Sequence, residues 1–314
     1  MVDRVDYPLV YIIIVNWNGW QDTINCLDSL EKVSYPNFET LVVDNGSLND
    51  SVERIKLAFP GVQILELREN LGYSGGTNQG FRYVLDKGAD YILTINNDVV
   101  VDPSFLGPMV ETMEKDAGIG ALNPKIFYLN HPEGNVFWAA GGKANLWLAA
   151  SDNRGYNQVD TGQFDQPTEV DFGTGCCLLA SREALIKTGL LDAAYFIYFD
   201  DTDWSFRLRQ KGLTVNYTPH ARIWHAVSSS SQIRDMGSGT LSPFVHFLHA
   251  RNHLWFLRSH TSYPQKIIAY PAYFARRMVF YSGAFIILRR WEKLKELWKG
   301  FWAGLKNKPD LEEI

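Results

Sequence analysis

Short apolar runs alternate with helical patterns over the first 120 residues, and this alternation limits the fold more than any other feature. The runs at 9–15, 40–43, 63–67 and 91–95 have the length and composition of buried strands. Strand and helix alternating at this spacing predict parallel βαβ units and an α/β fold. In open sheets of this kind, ligands bind beyond the carboxyl ends of the strands.

Residues 121–180 follow a different pattern. Short strand-like pieces are separated there by Gly, Asn and Pro, which predicts an extension of the same sheet rather than an independent domain. Beyond them we expect a helix over about 181–187 that ends at Gly189, and a second helix that begins near Asp200. A last strand is expected to run into the polar loop at 228–231.

The C-terminal part of the chain is basic and aromatic. Residues 251–308 carry 12 Lys or Arg against two acids, whereas the whole chain has a net charge of -5. This overall acidity argues against a nucleic-acid partner.

The apolar run Met278–Leu288 is too short for a membrane-spanning helix, which needs roughly 20 residues. In contrast, Trp291–Leu305 has aromatic residues at helical spacing with lysines between them, which is typical of a helix lying on a membrane surface. The alternatives are that its aromatic face packs on the rest of the chain or on a second copy in a homodimer.

The cysteines and the N-terminus favour a cytoplasmic protein. Cys26, Cys176 and Cys177 form neither a disulfide framework nor a C-x-x-C metal site, which fits a reducing compartment. The N-terminus lacks the basic region and small-residue cleavage site of a signal peptide.

Polar side chains follow the predicted strands at the points where ligands are expected. The sequence Asn96-Asn97-Asp98 ends the fourth strand, and one carboxylate with amide oxygens suits a hard divalent cation that bridges a diphosphate. A polar turn is the alternative. Asp44 ends the second strand, where it could accept a hydrogen bond from a base or ribose, or cap the turn that follows.

A glycine-rich stretch, NLGYSGGTNQG, precedes the third predicted helix. A loop of this composition lets backbone amides approach phosphate oxygens. Its spacing matches neither a P-loop nor the dinucleotide motif G-x-G-x-x-G. By itself it indicates a tight turn that is able to contact phosphate.

Two further features carry ionisable groups. Asp200, Asp201 and Asp203 fall within four residues, and mutual repulsion should raise the pKa of at least one unless a cation is near. A solvated helix N-terminus is the alternative, but the aromatic neighbours favour a functional site. His225 ends the last strand, where a neutral imidazole could bind a metal; a purely structural role is the alternative.

Taken together, these pieces resemble the family 2 glycosyltransferases of the GT-A fold, especially the rhamnosyltransferase-like branch. The resemblance covers about residues 9–260. It rests on seven stretches in order: IIIVNWNG, LVVDNGSLND, ENLGYSGGTNQG, ILTINNDVVV, FGTGCCLLASREALIKTGLLD, YFDDTDWSFRLRQKG and PHARIWHAVSSS. It implies a Rossmann-like, mostly parallel central sheet flanked by helices. The catalytic domain would be 1–240, with a nucleotide-sugar-binding half at 1–120 and an acceptor half at 121–240, followed by a helical extension at 241–314.

The resemblance also implies roles for individual residues. Asn96-Asn97-Asp98 would occupy the place of the family's D-x-D metal motif, with Asp98 as the ligand and Asn96 where many members have Asp. His225 would complete the metal shell. Asp201 would be the catalytic base, next to Asp200. The residues expected near the nucleotide, its base and its phosphates are Asn16, Asn18, Asp44, Gly75, Gly76, Asn78 and Asn97.

The activity implied is inverting, metal-dependent sugar transfer with Mg²⁺ or Mn²⁺. The donor would be dTDP-rhamnose, or else a UDP-sugar of galactose, glucose or N-acetylhexosamine. The acceptor would be a glycan or lipid-linked hydroxyl in cell-surface polysaccharide synthesis, at the inner face of the cell membrane.

A nucleotidyltransferase is a competing hypothesis, but it should have a basic glycine-rich loop where the chain has Asn-Trp-Asn-Gly. An inactive carbohydrate-binding or partner-binding module is the other, and the presence of Asp98, Asp201 and His225 together argues against it.

Overall fold

The first half of the chain alternates strand and helix as predicted. The computed structural model describes residues 7–226, 241–306 and 308, so the polar loop expected at 228–231 lies outside it. The elements are β1 Val10–Asn16, α1 Trp20–Leu30, β2 Phe38–Asp44, α2 Ser51–Ala58, β3 Gln63–Glu66, α3 Gly72–Asp86 and β4 Tyr91–Asn96.

The second half extends the same sheet, which confirms the interpretation of the short strand-like pieces. Its elements are β5 Val99–Val101, α4 Leu106–Lys115, β6 Ile119–Tyr128, β7 Phe137–Ala139, β8 Gly142–Asn145, β9 Ala150–Asn153, β10 Thr168–Glu169, β11 Cys177–Ser181, α5 Arg182–Thr188, α6 Asp200–Gln210 and β12 Thr214–His225. β8 and β9 form a separate antiparallel hairpin, and Gly142 at its start also bridges to Phe172.

The strand order brings the predicted polar clusters to one edge of the sheet. The order is β10-β12-β6-β11-β4-β1-β2-β3, and the last four strands run parallel. In this register Asn16 is paired with Asp44, and Val15 is paired with Asn96. β12 runs antiparallel to β5 and places His225 opposite Val99. The last strand therefore delivers its histidine to the β4–β5 turn.

The glycine-rich stretch is the start of α3 and not a loop ahead of it, so that prediction is wrong. Gly75, Gly76 and Gly80 lie within the helix and are buried. A Cβ at Gly80 would lie 2.8 Å from Ile13 Cγ2, and one at Gly76 would lie 3.1 Å from the side chain of Asn45. The missing side chains let α3 pack closely on β1 and β2, and this tertiary packing outweighs the low helix propensity of glycine.

The C-terminal segment folds into helices that pack on each other. They are α7 Pro243–His260, α8 Tyr263–Tyr273, a π-helical stretch Phe274–Val279, α9 Phe280–Ile287 and α10 Trp291–Leu305. α10 lies against α7, where Leu297 is buried and a Cβ at Gly300 would overlap the carbonyl oxygen of Phe247. One face of the aromatic helix therefore packs on the chain itself. No helix among the described residues has the length and apolar character needed to cross a membrane.

Cys26, Cys176 and Cys177 are free and buried. Burial raises the pKa of the Cys177 thiol well above its usual range. A thiol in this environment stays protonated and unreactive at neutral pH.

Candidate active site

The ends of β1 and β2 are joined by a buried hydrogen-bond network. Asn16 Nδ2 donates to Asp44 Oδ1 at 2.7 Å, and Ser47 donates to Asp44 from both its hydroxyl and its backbone N–H. Asn18 is held beside them, because its backbone N–H donates to Ser47 Oγ at 2.8 Å. These bonds match the turn-capping alternative for Asp44. Its contact with a base stays a prediction.

α3 places Asn78 in the scaffold. Asn78 Nδ2 donates to the carbonyl oxygen of Leu191 at 2.8 Å, and Asn78 Oδ1 accepts from the Leu191 N–H at 3.0 Å. Both ends of this buried side chain are therefore used to tie α3 to the segment after α5. This placement does not support the expected role of Asn78 in the nucleotide site.

The same region holds Asn45, which sequence reasoning missed. Asn45 Oδ1 accepts from the Leu71 N–H, and its Nδ2 donates to the carbonyl oxygen of Gly72. It thereby fixes the start of α3. The only available signal was its place beside Asp44 in the turn sequence Asp-Asn-Gly-Ser.

Asp98 and His225 meet at the β4–β5 turn. His225 Nε2 lies 3.2 Å from Asp98 Oδ1, and both side chains are buried. The ring of Trp138 packs edge-on against the imidazole, with 4.7 Å between ring centroids. Asn97 points toward the start of α1, where its Nδ2 donates to Thr23 Oγ1 at 3.2 Å and to the carbonyl oxygen of Gly19 at 3.3 Å. Asn96 is half-buried at the end of β4.

The Asp98–His225 pair fits two neighbouring ligands of a small divalent cation. Two donors at right angles, each about 2.1 Å from the ion, are separated by roughly 3 Å. Among the residues that the structure describes, no group of three or more His, Cys, Asp or Glu side chains is arranged to hold a metal. A cation bound here would therefore take its other ligands from amide oxygens, water or a bound phosphate.

The predicted acid pair begins α6. Asp201 Oδ2 accepts from the Gly175 N–H at 2.8 Å, and Asp201 Oδ1 accepts from the Thr202 N–H at 2.6 Å. Asp200 Oδ2 is buried without a hydrogen-bond partner in the described part of the chain. Burial, and then the neighbouring charge of Asp201, raises the pKa of Asp200 to about 7. Burial also raises the pKa of Asp201. A carboxyl group with a pKa near neutrality, such as that of Asp200, is suited to accept and release a proton during turnover.

The third acid of the cluster has a different partner set. Asp203 accepts hydrogen bonds from Arg207 Nε and His260 Nε2, each at 2.8 Å. Burial alone would raise the pKa of Asp203, but the hydrogen bond from His260 and the charge of Arg207 lower it to about 2. Asp203 is therefore ionised at neutral pH and ties α6 to α7.

The acid pair and the Asp98–His225 pair are connected through the segment before β11. Gly175 binds Asp201, while the carbonyl oxygen of the next residue, Cys176, accepts from the Asn96 N–H at 3.0 Å. The short link from Asp201 to Asn96 places both pairs at one end of the sheet. Gly175 was visible in the sequence only as part of the stretch FGTGCC.

Most of these strand ends lie in a region shared with a known protein family. A model of the glycosyl transferase family 2 matches residues 11–189, which is more than half of the chain. The chain belongs to glycosyl transferase family 2. This matched region contains β1 to β4, the β4–β5 turn and Gly175. The family prediction is confirmed, and the protein is a glycosyltransferase of the rhamnosyltransferase-like kind.

Two curated relatives of this glycosyltransferase cover most of its length. The N-acetylglucosaminyl-diphospho-decaprenol L-rhamnosyltransferase of Mycobacterium tuberculosis is 25% identical over 240 residues, which is 70% of this chain and 76% of the relative. The dTDP-rhamnosyl transferase RfbF of Shigella flexneri is 25% identical over 256 residues, which is 79% of this chain and 80% of the relative.

Solved structures confirm the GT-A fold of the glycosyltransferase. GalNAc-T7, solved with UDP, GalNAc and Mn²⁺, matches with a TM-score of 0.61 at 17% identity, over 81% of this chain and 48% of its own. This chain thus spans about half of GalNAc-T7. The mannosyltransferase PcManGT of Pyrobaculum calidifontis, in complex with GDP-Man and Mn²⁺, matches with a TM-score of 0.53 at 17% identity, over 97% of this chain and 89% of its own.

Proposed function

We propose that this glycosyltransferase moves a sugar, with inversion, from a nucleoside-diphosphate sugar to an acceptor hydroxyl, and that it requires Mg²⁺ or Mn²⁺. The observation that carries the proposal is that the Asp98–His225 pair and the Asp200–Asp201 pair lie at the same end of the sheet. The two relatives named as rhamnosyltransferases favour dTDP-rhamnose as the donor. A UDP-sugar is the next candidate.

The cation would be held by Asp98 Oδ1 and His225 Nε2. A bound divalent cation would neutralise the diphosphate leaving group. His225 would bind the ion through its neutral imidazole, and Trp138 packs against that ring with 4.7 Å between centroids. Asn96 adds an uncharged oxygen where a second acid would strengthen the site.

The acid pair would accept the proton of the acceptor hydroxyl. As the hydroxyl oxygen forms its bond to the anomeric carbon, its proton passes to Asp201, and the bond between that carbon and the diphosphate oxygen breaks from the opposite face. The nucleoside diphosphate leaves with the electron pair, so the anomeric centre is inverted. Gly175 and Thr202 fix the Asp201 carboxylate in one orientation. Such a positioned base contributes about 10²–10⁴-fold to the rate.

The donor nucleotide would lie over the ends of β1 and β2. Asn16, Asp44 and Ser47 form a hydrogen-bonded polar surface there, which we call the nucleotide floor. Asn18 and Asn97 lie beside it. Asp44 would accept a hydrogen bond from the base. Gly76 would act by letting α3 approach this floor, since a Cβ there would lie 3.1 Å from Asn45, whereas a Cβ at Gly75 would meet Leu71 at the start of the helix.

The C-terminal helices would place the enzyme on the cytoplasmic face of a membrane, near a lipid-linked acceptor. Trp291 and Trp302 are 59% and 60% exposed, and because they lie eleven residues apart on α10 they share one face of the helix. Phe280 and Ile287 on α9 are also exposed. Exposed cationic side chains occur on the same segments, namely Arg289, Lys295 and Lys306. Aromatic and cationic groups together suit an anionic lipid surface.

Sedimentation with vesicles tests the membrane proposal. The double variant Trp291→Ala, Trp302→Ala should no longer sediment with phosphatidylglycerol vesicles, whereas Leu57→Ala, an exposed apolar residue on α2, should sediment as the wild type does. Dimerisation of the wild type without vesicle binding would instead assign the face to a second copy of the chain.

A donor screen tests the activity. Release of nucleoside diphosphate is measured with dTDP-rhamnose, UDP-galactose, UDP-glucose, UDP-N-acetylglucosamine and GDP-mannose, each with Mn²⁺ and with a chelator. We expect release that depends on the metal and is fastest with dTDP-rhamnose. A UDP-sugar as the best donor would change the donor assignment only, whereas turnover unaffected by the chelator would contradict the role of Asp98 and His225.

A further inference from the structure

The turn before the acid pair has an unfavourable backbone conformation. Phe196, Tyr198 and Phe199 have φ angles of 69°, 69° and 68°, a left-handed region that bulky side chains avoid. Phe199 directly precedes Asp200, so this turn sets the direction in which α6 begins and in which both carboxyl groups point. A turn of this kind persists only when surrounding contacts hold it.

Asn252 on α7 contacts the turn from the C-terminal helices. Its Nδ2 lies 2.9 Å from each of the carbonyl oxygens of Tyr195, Ile197 and Tyr198, and the residue is fully buried. The amide group of Asn252 thus contacts three carbonyl oxygens of a single turn. These oxygens point toward α7 because of that contact, which fixes the peptide planes that lead into Asp200.

Arg251 fixes the orientation of Asn252 and adds contacts of its own. Arg251 Nε donates to Asn252 Oδ1 at 2.9 Å, so the amide nitrogen must face the turn. Arg251 Nη2 donates at 3.0 Å to the carbonyl oxygens of Ala194 and Tyr195. Its guanidinium group also lies over the ring of Trp255, 4.5 Å from the centroid.

The side chains of the strained residues are held by the same helix. The ring of Tyr198 stacks on His249 with 4.5 Å between centroids, and the ring of Phe199 stacks on His253 with 4.8 Å between centroids. α7 therefore contacts both the carbonyl oxygens and the rings of this turn.

We propose that Arg251 and Asn252 are positioning residues for the Asp200–Asp201 pair, so that the C-terminal helices are part of the catalytic apparatus. This inference rests on the proposed function of the acid pair. Arg251 and Asn252 act through the turn and do not contact the substrate. Their loss lets the turn relax, which moves the carboxyl groups and leaves the nucleotide floor at β1 and β2 intact.

Arg258 provides a matched control on the same helix. Arg258 Nη1 donates to the carbonyl oxygens of Gly304, Leu305 and Lys306, so it also binds several backbone oxygens, but those at the end of α10. Arg258→Ala removes contacts of the same chemistry from α7 without touching the turn.

The test compares Asn252→Ala, Arg251→Lys and Arg258→Ala in the full chain, using the best donor from the screen above. For the first two variants we expect kcat to fall about 100-fold, because a displacement of the reacting groups by about 1 Å has that effect. The KM for the donor and the affinity for the nucleoside diphosphate should be unchanged. Arg258→Ala should lower the melting temperature but keep kcat. If Asn252→Ala does not fold, Arg251→Lys decides the outcome.

Hydrogen exchange of the backbone amides of 194–201 gives a second readout that needs no activity. Exchange in this segment should be faster in Asn252→Ala than in Arg258→Ala. If the wild type transfers sugar from no donor, the proposed function fails while this exchange still tests the contact. Folded Asn252→Ala and Arg251→Lys variants with wild-type kcat would overturn the inference, as would unchanged exchange or an equal loss of kcat in Arg258→Ala.

Discussion

His225 Nε2 lies 3.2 Å from Asp98 Oδ1 although the two residues belong to motifs far apart in the chain. The antiparallel register of β12 on β5 produces this contact, because it sets His225 opposite Val99. The backbone of the same turn is tied to the strand as well, since the Ala226 N–H donates to the carbonyl oxygen of Asp98 at 2.9 Å. Two candidate metal ligands therefore come from separate elements with little freedom to move apart.

Removing the imidazole tests this pair as a metal site. We expect His225→Ala to weaken Mn²⁺-dependent binding of dTDP by at least about tenfold, because the site loses one of its protein ligands. Titration calorimetry with and without Mn²⁺ measures this. Asp102→Asn is the control, since Asp102 lies just beyond β5 and pairs with Arg222 at 3.7 Å. Equal affinity of wild type and His225→Ala in the presence of Mn²⁺ would remove His225 from the site.

The raised pKa of Asp200 predicts a pH-dependent stability. A carboxyl group whose pKa is about 7 in the folded protein, against an ordinary pKa of 3.8, contributes stability at low pH, and this contribution is lost as the pH rises toward 7. Asp200→Asn should therefore stabilise the protein more at pH 8 than at pH 5, by a few kcal/mol at about 1.4 kcal/mol per pKa unit. Urea unfolding at both pH values measures the effect.

The stability contribution of Asp203 has the opposite pH dependence, and this residue serves as the internal comparison. Its pKa is lowered to about 2, so its contribution is present at neutral pH and is lost as the pH falls through that value. Asp203→Asn should therefore destabilise the protein at both pH 5 and pH 8. A stability difference for Asp200→Asn that does not vary with pH would show that its carboxyl group is not perturbed.

Asn78→Ala separates a scaffold role from a nucleotide role. It leaves the N–H and carbonyl oxygen of Leu191 buried without their partner. We expect the free energy of unfolding to fall by about 3 kcal/mol, with dTDP affinity unchanged in the folded fraction. Weaker dTDP binding without loss of stability would restore the nucleotide role that the sequence suggested.

Gly300→Ala tests the packing of α10 on α7. The added Cβ would overlap the carbonyl oxygen of Phe247, so the helices must separate and we expect a loss of about 1–3 kcal/mol. Gly283→Ala is the matched control, because nothing lies within 4 Å of its Cβ position. That substitution in α9 should be neutral or stabilise by about 0.5–1 kcal/mol. Equal effects of the two variants in urea unfolding would contradict the observed contact.

The sequence was sufficient to predict those strands and helices that have a local pattern of apolar residues. The run through Ile12, Ile13 and Ile14 predicted a strand covered on both faces, and these side chains do alternate between two apolar clusters. It was insufficient for the glycine-rich start of α3. Local propensity there opposes a helix, and the packing of Gly80 on Ile13 decides in its favour.

In the candidate site, too, individual residues could be predicted from the sequence, whereas the contacts between them could not. Asp98, Asp201 and His225 were identifiable because each follows or begins a recognisable element. The contact between Asp98 and His225 depends on strand register, and the contacts of Asn252 with a turn more than 50 residues earlier in the chain depend on how α7 packs. Neither leaves a periodic trace in the sequence. Asn78 matched the family pattern, but its pairing with Leu191 was visible only in three dimensions.

The most direct test of the proposed mechanism is the turnover of Asp201→Asn, measured as nucleoside diphosphate released from dTDP-rhamnose, or from the best donor of the screen, with Mn²⁺ present. The wild type should release nucleoside diphosphate, and the variant should bind dTDP with equal affinity while its kcat falls by about 10²–10⁴-fold. A folded Asp201→Asn protein with near wild-type kcat would contradict the assignment of Asp201 as the base.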